Sequence, residues 1–191
     1  YLREYYFIPG GTPAYEETDI MLGIAYANRF AEEFRRPVVI CLGVGTNMGD
    51  HAGNSVLGRY MDRVALLRSR ALLVCGGNEG IAGHHFAGQL GAQAVNGNSR
   101  DVEIRVGERE RGFLLEFWGN ATDTYNIGLR SPGGETIPGI RLGVDQKNTY
   151  RFVFEDTEVA IQSTLVESGS GSQLILFRFT APTPGIWTIQ V

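Results

Sequence analysis

The chain has 191 residues, 43% hydrophobic and 20% charged, which excludes a disordered polypeptide and allows one large domain or two small ones. Seventeen basic residues against 21 acidic give a formal charge of −4, without the basic excess of a nucleic-acid binder. No apolar run approaches the ~20 residues of a membrane helix, and two cysteines make no disulfide framework. Neither nucleic acid nor membrane is therefore an expected partner. No charged-then-apolar leader opens the chain. Tyr1 is not a methionine, so an internal or processed segment is expected, with functional residues beyond it.

Residues 1–98 read as α/β. Tyr5–Ile8 is a short aromatic and branched run stopped by Pro9-Gly10-Gly11. From Asp19 to Arg35, Ile20, Ile24, Ala27, Ala31 and Phe34 follow helical spacing, with Thr18 or Asp19 as cap and Pro37 beyond the end. Val38–Leu42 is a continuous apolar run, which predicts a strand buried on both faces. A glycine-rich loop, Gly43–Gly53, leads to a second helix capped by Asn54 or Ser55, with Val56, Tyr60, Val64 and Leu67 as its stripe. Ala71–Cys75 is a further buried strand. Strand, helix, strand, helix, strand implies parallel pairing through crossovers.

After residue 98 the pattern changes. Strands are expected at Val102–Val106, Phe113–Trp118, Tyr125–Arg130, Tyr150–Phe154, Val159–Val166, Leu174–Phe179 and Ile186–Val191. Turn residues separate them, and Val102, Ile104, Val106 and Tyr150, Phe152, Phe154 alternate. About seven short strands without a helix indicate an antiparallel sandwich. The expected fold is thus a partial parallel α/β domain over 1–98 and an all-β domain over 99–191, joined by a polar linker near Val95–Ser99.

Chemistry concentrates in Leu73–Gly80. A buried strand runs into Gly76-Gly77, and Asn78 is the first side chain with reach. Loops at the carboxyl ends of parallel strands line ligand crevices, and an amide there can donate to an oxyanion. On spacing alone, left-handed turn geometry is the commoner role of such an asparagine. In Ile40–Gly45, at the end of the neighbouring strand, the glycines admit a substrate backbone and Leu42 can wall a pocket. A nucleotide loop is the rival, but the spacing of Gly43, Gly45 and Gly49 departs from the dinucleotide fingerprint, and the Lys-Ser/Thr of a phosphate loop is absent.

Cys41-Leu42-Gly43, a helix, and Val74–Gly80 ending in Gly-Asn-Glu-Gly resemble the middle of a subtilisin-like serine protease, a subtilase. Ala14–Met21, Gly43–Asn47 and Gly80–His85 narrow the resemblance to the bacterial subtilases that include the clostridial Csp germination proteases. It implies that Asn78 is the oxyanion-hole asparagine. Leu42 and Gly43 would form one wall of the specificity pocket, and Gly76 and Gly77 the facing wall. It further implies that 99–191 is a jelly roll inserted before the catalytic serine, which rigidifies the protease and holds a propeptide. The family's Asp-Ser/Thr-Gly, His-Gly-Thr and Gly-Thr-Ser-Met/Val-Ala motifs are absent, so the chain is expected to be an internal fragment of an endopeptidase, inactive by itself. Its partners would be a peptide or protein substrate, the propeptide and the remaining protease segments, and no cofactor or metal is implied. Degenerate, inactive subtilases leave a pseudoprotease open.

Other residues invite less. His51 has no Gly-Thr after it and reads as a loop histidine. Ser55 and Ser170 do not sit in a Gly-x-Ser-x-Gly elbow. His84 and His85 beside Glu79 fall short of a zinc ligand set and read as local hydrogen bonding or packing. Cys41 and Cys75 read as small buried hydrophobes. Trp118 and Trp187 read as packing, with a sugar- or protein-binding scaffold module as the alternative. A parallel sheet with unpaired edges is expected to associate with another copy.

Overall fold

The structure is a computed structural model that describes residues 15–90, 99–121, 123–141, 143 and 146–191. The strand expected at Tyr5–Ile8 and the linker up to residue 98 lie outside the described residues. The chain divides into two compact units, with the change near Phe86–Ala87.

In the first unit, helix α1 (Glu17–Glu33) precedes strand β1 (Val38–Leu42), helix α2 (Val56–Ala65) and strand β2 (Arg70–Val74). The strands pair in parallel from Val38↔Arg70 to Leu42↔Val74, with α2 in the connection that parallel neighbours require. Helix α1 begins before the expected caps. Glu16 is the N-cap without a side-chain cap bond, while Thr18 Oγ1 donates to its carboxylate at 3.2 Å. Glu17 and Asp19 place negative charge in the first turn, where the helix dipole favours it. The helix stops as Arg35 turns left-handed (φ 51°) and Arg36 N–H donates to Ala31 O at 2.9 Å. Ser55 caps α2 by accepting from Gly58 N–H at 3.0 Å, as one of the two expected caps.

Ile24, Asn28, Ala31 and Val64 form the small interior of this unit. Helix α1 packs on β1, α2 on β2, and the helices on each other, so one sheet face is covered. The expectation of strands buried on both faces is therefore corrected: Val39 is 63% exposed and Leu73 53%. Cys41 and Cys75 are likewise exposed rather than buried. Phe34 leaves the predicted stripe because it lies beyond the last helical residue, where its ring meets that of Phe30 at 4.8 Å.

The second unit contains two four-stranded antiparallel sheets. One has the order β3 (Asp101–Val106), β10 (Gly185–Gln190), β5 (Asn126–Arg130), β6 (Thr136–Arg141). The other runs β4 (Gly112–Gly119), β9 (Gln173–Thr180), β8 (Thr157–Thr164), β7 (Lys147–Phe152). Their inward faces share one core, with Ile127, Leu129, Ile140 and Trp187 from the first sheet and Phe152, Val159, Ile161 and Phe177 from the second. Strand β6 is absent from the sequence expectation and carries Pro138-Gly139. The strand lies at a sheet edge, where proline is tolerated, and the register shifts between Ile127 and Leu129 of β5 opposite it. Phe154 continues the alternation of Tyr150 and Phe152, but with Val153 it lies beyond the end of β7 and is 88% exposed. Trp187 is fully buried, so a sugar platform built on its ring is excluded.

Candidate functional site

The residues singled out by sequence lie at the carboxyl ends of the two parallel strands. Leu42 closes β1 and is half-buried, and its carbonyl accepts from Cys75 N–H at 3.1 Å, extending the ladder one residue past β2. Gly43 follows Leu42; Gly76, Gly77 and Asn78 follow Cys75, all exposed. Gly77 has φ 79°, a conformation that favours glycine, so the strand can turn at once into the loop holding Asn78. A Cβ built at Gly43, Gly76 or Gly77 would meet nothing within 4 Å, so these positions leave space beside the strand ends. The register that pairs Leu42 with Val74 brings the two loops alongside each other.

Several contacts join the loops. Cys75 Sγ lies 3.5 Å from Val44 O. Asn47 Nδ2 donates to Glu79 Oε2, and His84 Nδ1 lies 2.9 Å from the same oxygen. The rings of His51 and His85 approach to 4.7 Å. All three histidines of the chain thus meet where the loop after β1 touches the loop after β2. The Asn47 amide, then the His84 hydrogen bond and charge, hold the Glu79 carboxyl below the usual glutamate range.

The first loop is also braced internally. Asp50 accepts from Asn54 Nδ2 at 2.7 Å and from Ala52 N–H at 3.1 Å, and the Asn54 bond first of all lowers its pKa. Thr46 Oγ1 accepts from Met48 N–H at 3.0 Å. His51 has φ 55° and is exposed, in keeping with a loop histidine.

The Asn47–Glu79–His84 network was not assembled by sequence reasoning. Its members are separated by as many as 37 residues, and no spacing rule links them. Asn47 and His84 fall in Gly43–Asn47 and Gly80–His85, and Glu79 in Val74–Gly80, segments that do stand out in the sequence. Hydrogen bonding by His84 agrees with its local reading. Among the described residues, no group of three or more His, Cys, Asp or Glu is placed to hold a metal ion.

No family model matches the sequence, and no curated protein matches it. The fold is shared with a protease of known structure. That neighbour is the CspB protease of Clostridium perfringens, matched with a TM-score of 0.80 and 24% identity over 96% of this chain. This chain spans 39% of the CspB chain's length, and at that identity the likeness is one of fold.

Proposed function

We propose that the chain is an internal part of a subtilisin-like serine endopeptidase, with a partial α/β domain over 1–98 and an inserted jelly roll over 99–191. The observation that carries this reading is the position of Asn78, one turn beyond a parallel strand and beside the open end of its neighbour. The protease fold neighbour adds support.

In this reading, a serine outside the chain attacks a peptide carbonyl, with a histidine as base and an aspartate orienting that histidine. As the carbonyl oxygen gains charge, the Asn78 amide donates to it. Leu42 and Gly43 on one strand end, and Gly76 and Gly77 on the other, seat the substrate residue. The glycines suit that task because a substrate backbone can approach where no Cβ intervenes. The jelly roll stiffens the protease and holds a propeptide.

Two experiments test the reading. An isolated chain of these 191 residues should not be labelled by a fluorophosphonate, and labelling would place a reactive serine inside it. In the intact protein, Asn78→Ala should lower kcat by roughly 10²–10³-fold, the loss known for this donor type in subtilisin itself. Sequencing the flanking gene adds a third check. Triad motifs on both sides support the endopeptidase, whereas substituted triad positions would make the parent a pseudoprotease.

A further inference from the structure

Asn78 is joined on one side to two glycines. A side chain at either would touch nothing, and Gly77 is left-handed, so packing does not restrain that side of the loop. Restraint comes from the other side. Glu79 O accepts from Ala82 N–H at 2.9 Å, which closes a turn. Its carboxylate oxygen Oε2 receives the Asn47 amide from the loop after β1 and faces His84 Nδ1, which donates when its proton sits there. Glu79 is thus bonded across to the other loop, immediately next to the amide that must be aimed.

We propose that Glu79 is a positioning residue, clasped by Asn47 and His84, that holds Asn78 in the orientation needed to donate to the oxyanion. The inference rests on the oxyanion reading of Asn78 given above. An oxyanion donor works only if it is oriented before charge develops, because reorientation during the reaction forfeits the advantage. Opening the clasp should therefore affect turnover rather than substrate affinity. The β1–β2 ladder and the Cys75 N–H bond to Leu42 O do not involve the clasp, so its loss leaves the strand pairing in place.

The test uses the intact protein, a peptide anilide substrate and the variants Glu79→Ala, Asn47→Ala, their double mutant and Asn78→Ala. Each single clasp variant should lower kcat by about tenfold with KM within about twofold, and the double should lose no more than the worse single. Amide exchange should rise together in segments 43–55 and 76–86 and stay unchanged in β8 and β9. Unchanged kcat, a change confined to KM, or losses that multiply would overturn the clasp. Unchanged exchange in both loops would do so even without turnover. If Asn78→Ala retains full kcat, the protease reading itself fails. If Asn78→Ala loses activity while Glu79→Ala and Asn47→Ala do not, the clasp alone fails.

Discussion

Trp187 shows how much of the second unit depends on single side chains. Its ring meets Phe152 edge-on at 4.9 Å and Phe179 at 5.4 Å, so it joins the two sheets. The indole N–H donates to Thr183 O at 2.9 Å, giving a buried polar atom its partner. Thr157 braces the same corner, donating to Ala181 O at 2.9 Å and accepting from Thr183 N–H at 3.1 Å. Trp187→Ala should destabilise the sandwich by about 3–5 kcal/mol through the cavity it leaves. Trp187→Phe should cost less, roughly 1–3 kcal/mol, chiefly from an unsatisfied Thr183 carbonyl. Guanidinium unfolding followed by near-ultraviolet circular dichroism measures both, and equal midpoints for wild type and Trp187→Ala would refute the assignment.

At the level of elements, the connection from β8 to β9 is a turn organised by one carboxylate. Glu167 Oε2 accepts from Gly169 N–H at 2.9 Å and Ser170 N–H at 2.6 Å, and the backbone closes with Glu167 N–H donating to Ser172 O at 2.8 Å. The Gly169 and Ser170 amides, in that order, hold the Glu167 pKa below its ordinary value. A folded pKa lower than the unfolded one contributes stability that is present above the unfolded value and lost as pH falls through the folded one. The Gly169 and Ser170 amides should therefore remain protected near neutrality and lose protection in the acid range below the usual glutamate pKa. Glu167→Gln should remove that pH dependence, as amide exchange would show; protection that falls with acid in both proteins would place the titrating group elsewhere. A second element, β6, shows the reverse relation, since its Pro138-Gly139 pair is compatible with a strand only because it lies at a sheet edge.

Across the whole molecule, apolar surface is distributed unevenly. Leu22, Tyr26 and Phe30 recur every four residues on α1, with Phe34 at its C-cap, and these four are 68, 68, 49 and 57% exposed. Tyr26 and Phe30 lie 5.7 Å apart, so the rings form a continuous ridge. Val39 and Leu73 add exposed apolar area on the β1–β2 sheet, whose outer edges have no strand partner among the described residues. Exposed patches and open edges of this kind favour association. Light scattering on the 191-residue chain should show mass rising with concentration, and Tyr26→Lys with Phe30→Glu should suppress it. A monomer that persists at high concentration would refute this.

The alternation Tyr150-Phe152 and the apolar runs Val38–Leu42 and Ala71–Cys75 were enough to distinguish a helix-bearing parallel segment from a strand-rich one. Local periodicity reflects which side of an element meets a core, and that preference is written residue by residue. The same runs misjudged burial, because apolar character states that a face is suited to cover without stating that cover is present. Cys41 and Cys75 are exposed for that reason. Asn78, Leu42, Gly43, Gly76 and Gly77 were legible as a candidate site because strand-end loops have recognisable residues. Asn47, Glu79 and His84 were not, since their contact depends on the β1–β2 register, which brings separate loops into hydrogen-bonding range. The sequence by itself determined the types of element and the residues able to do chemistry. Tertiary structure alone decided which of those residues meet, because that depends on pairing and packing between distant segments.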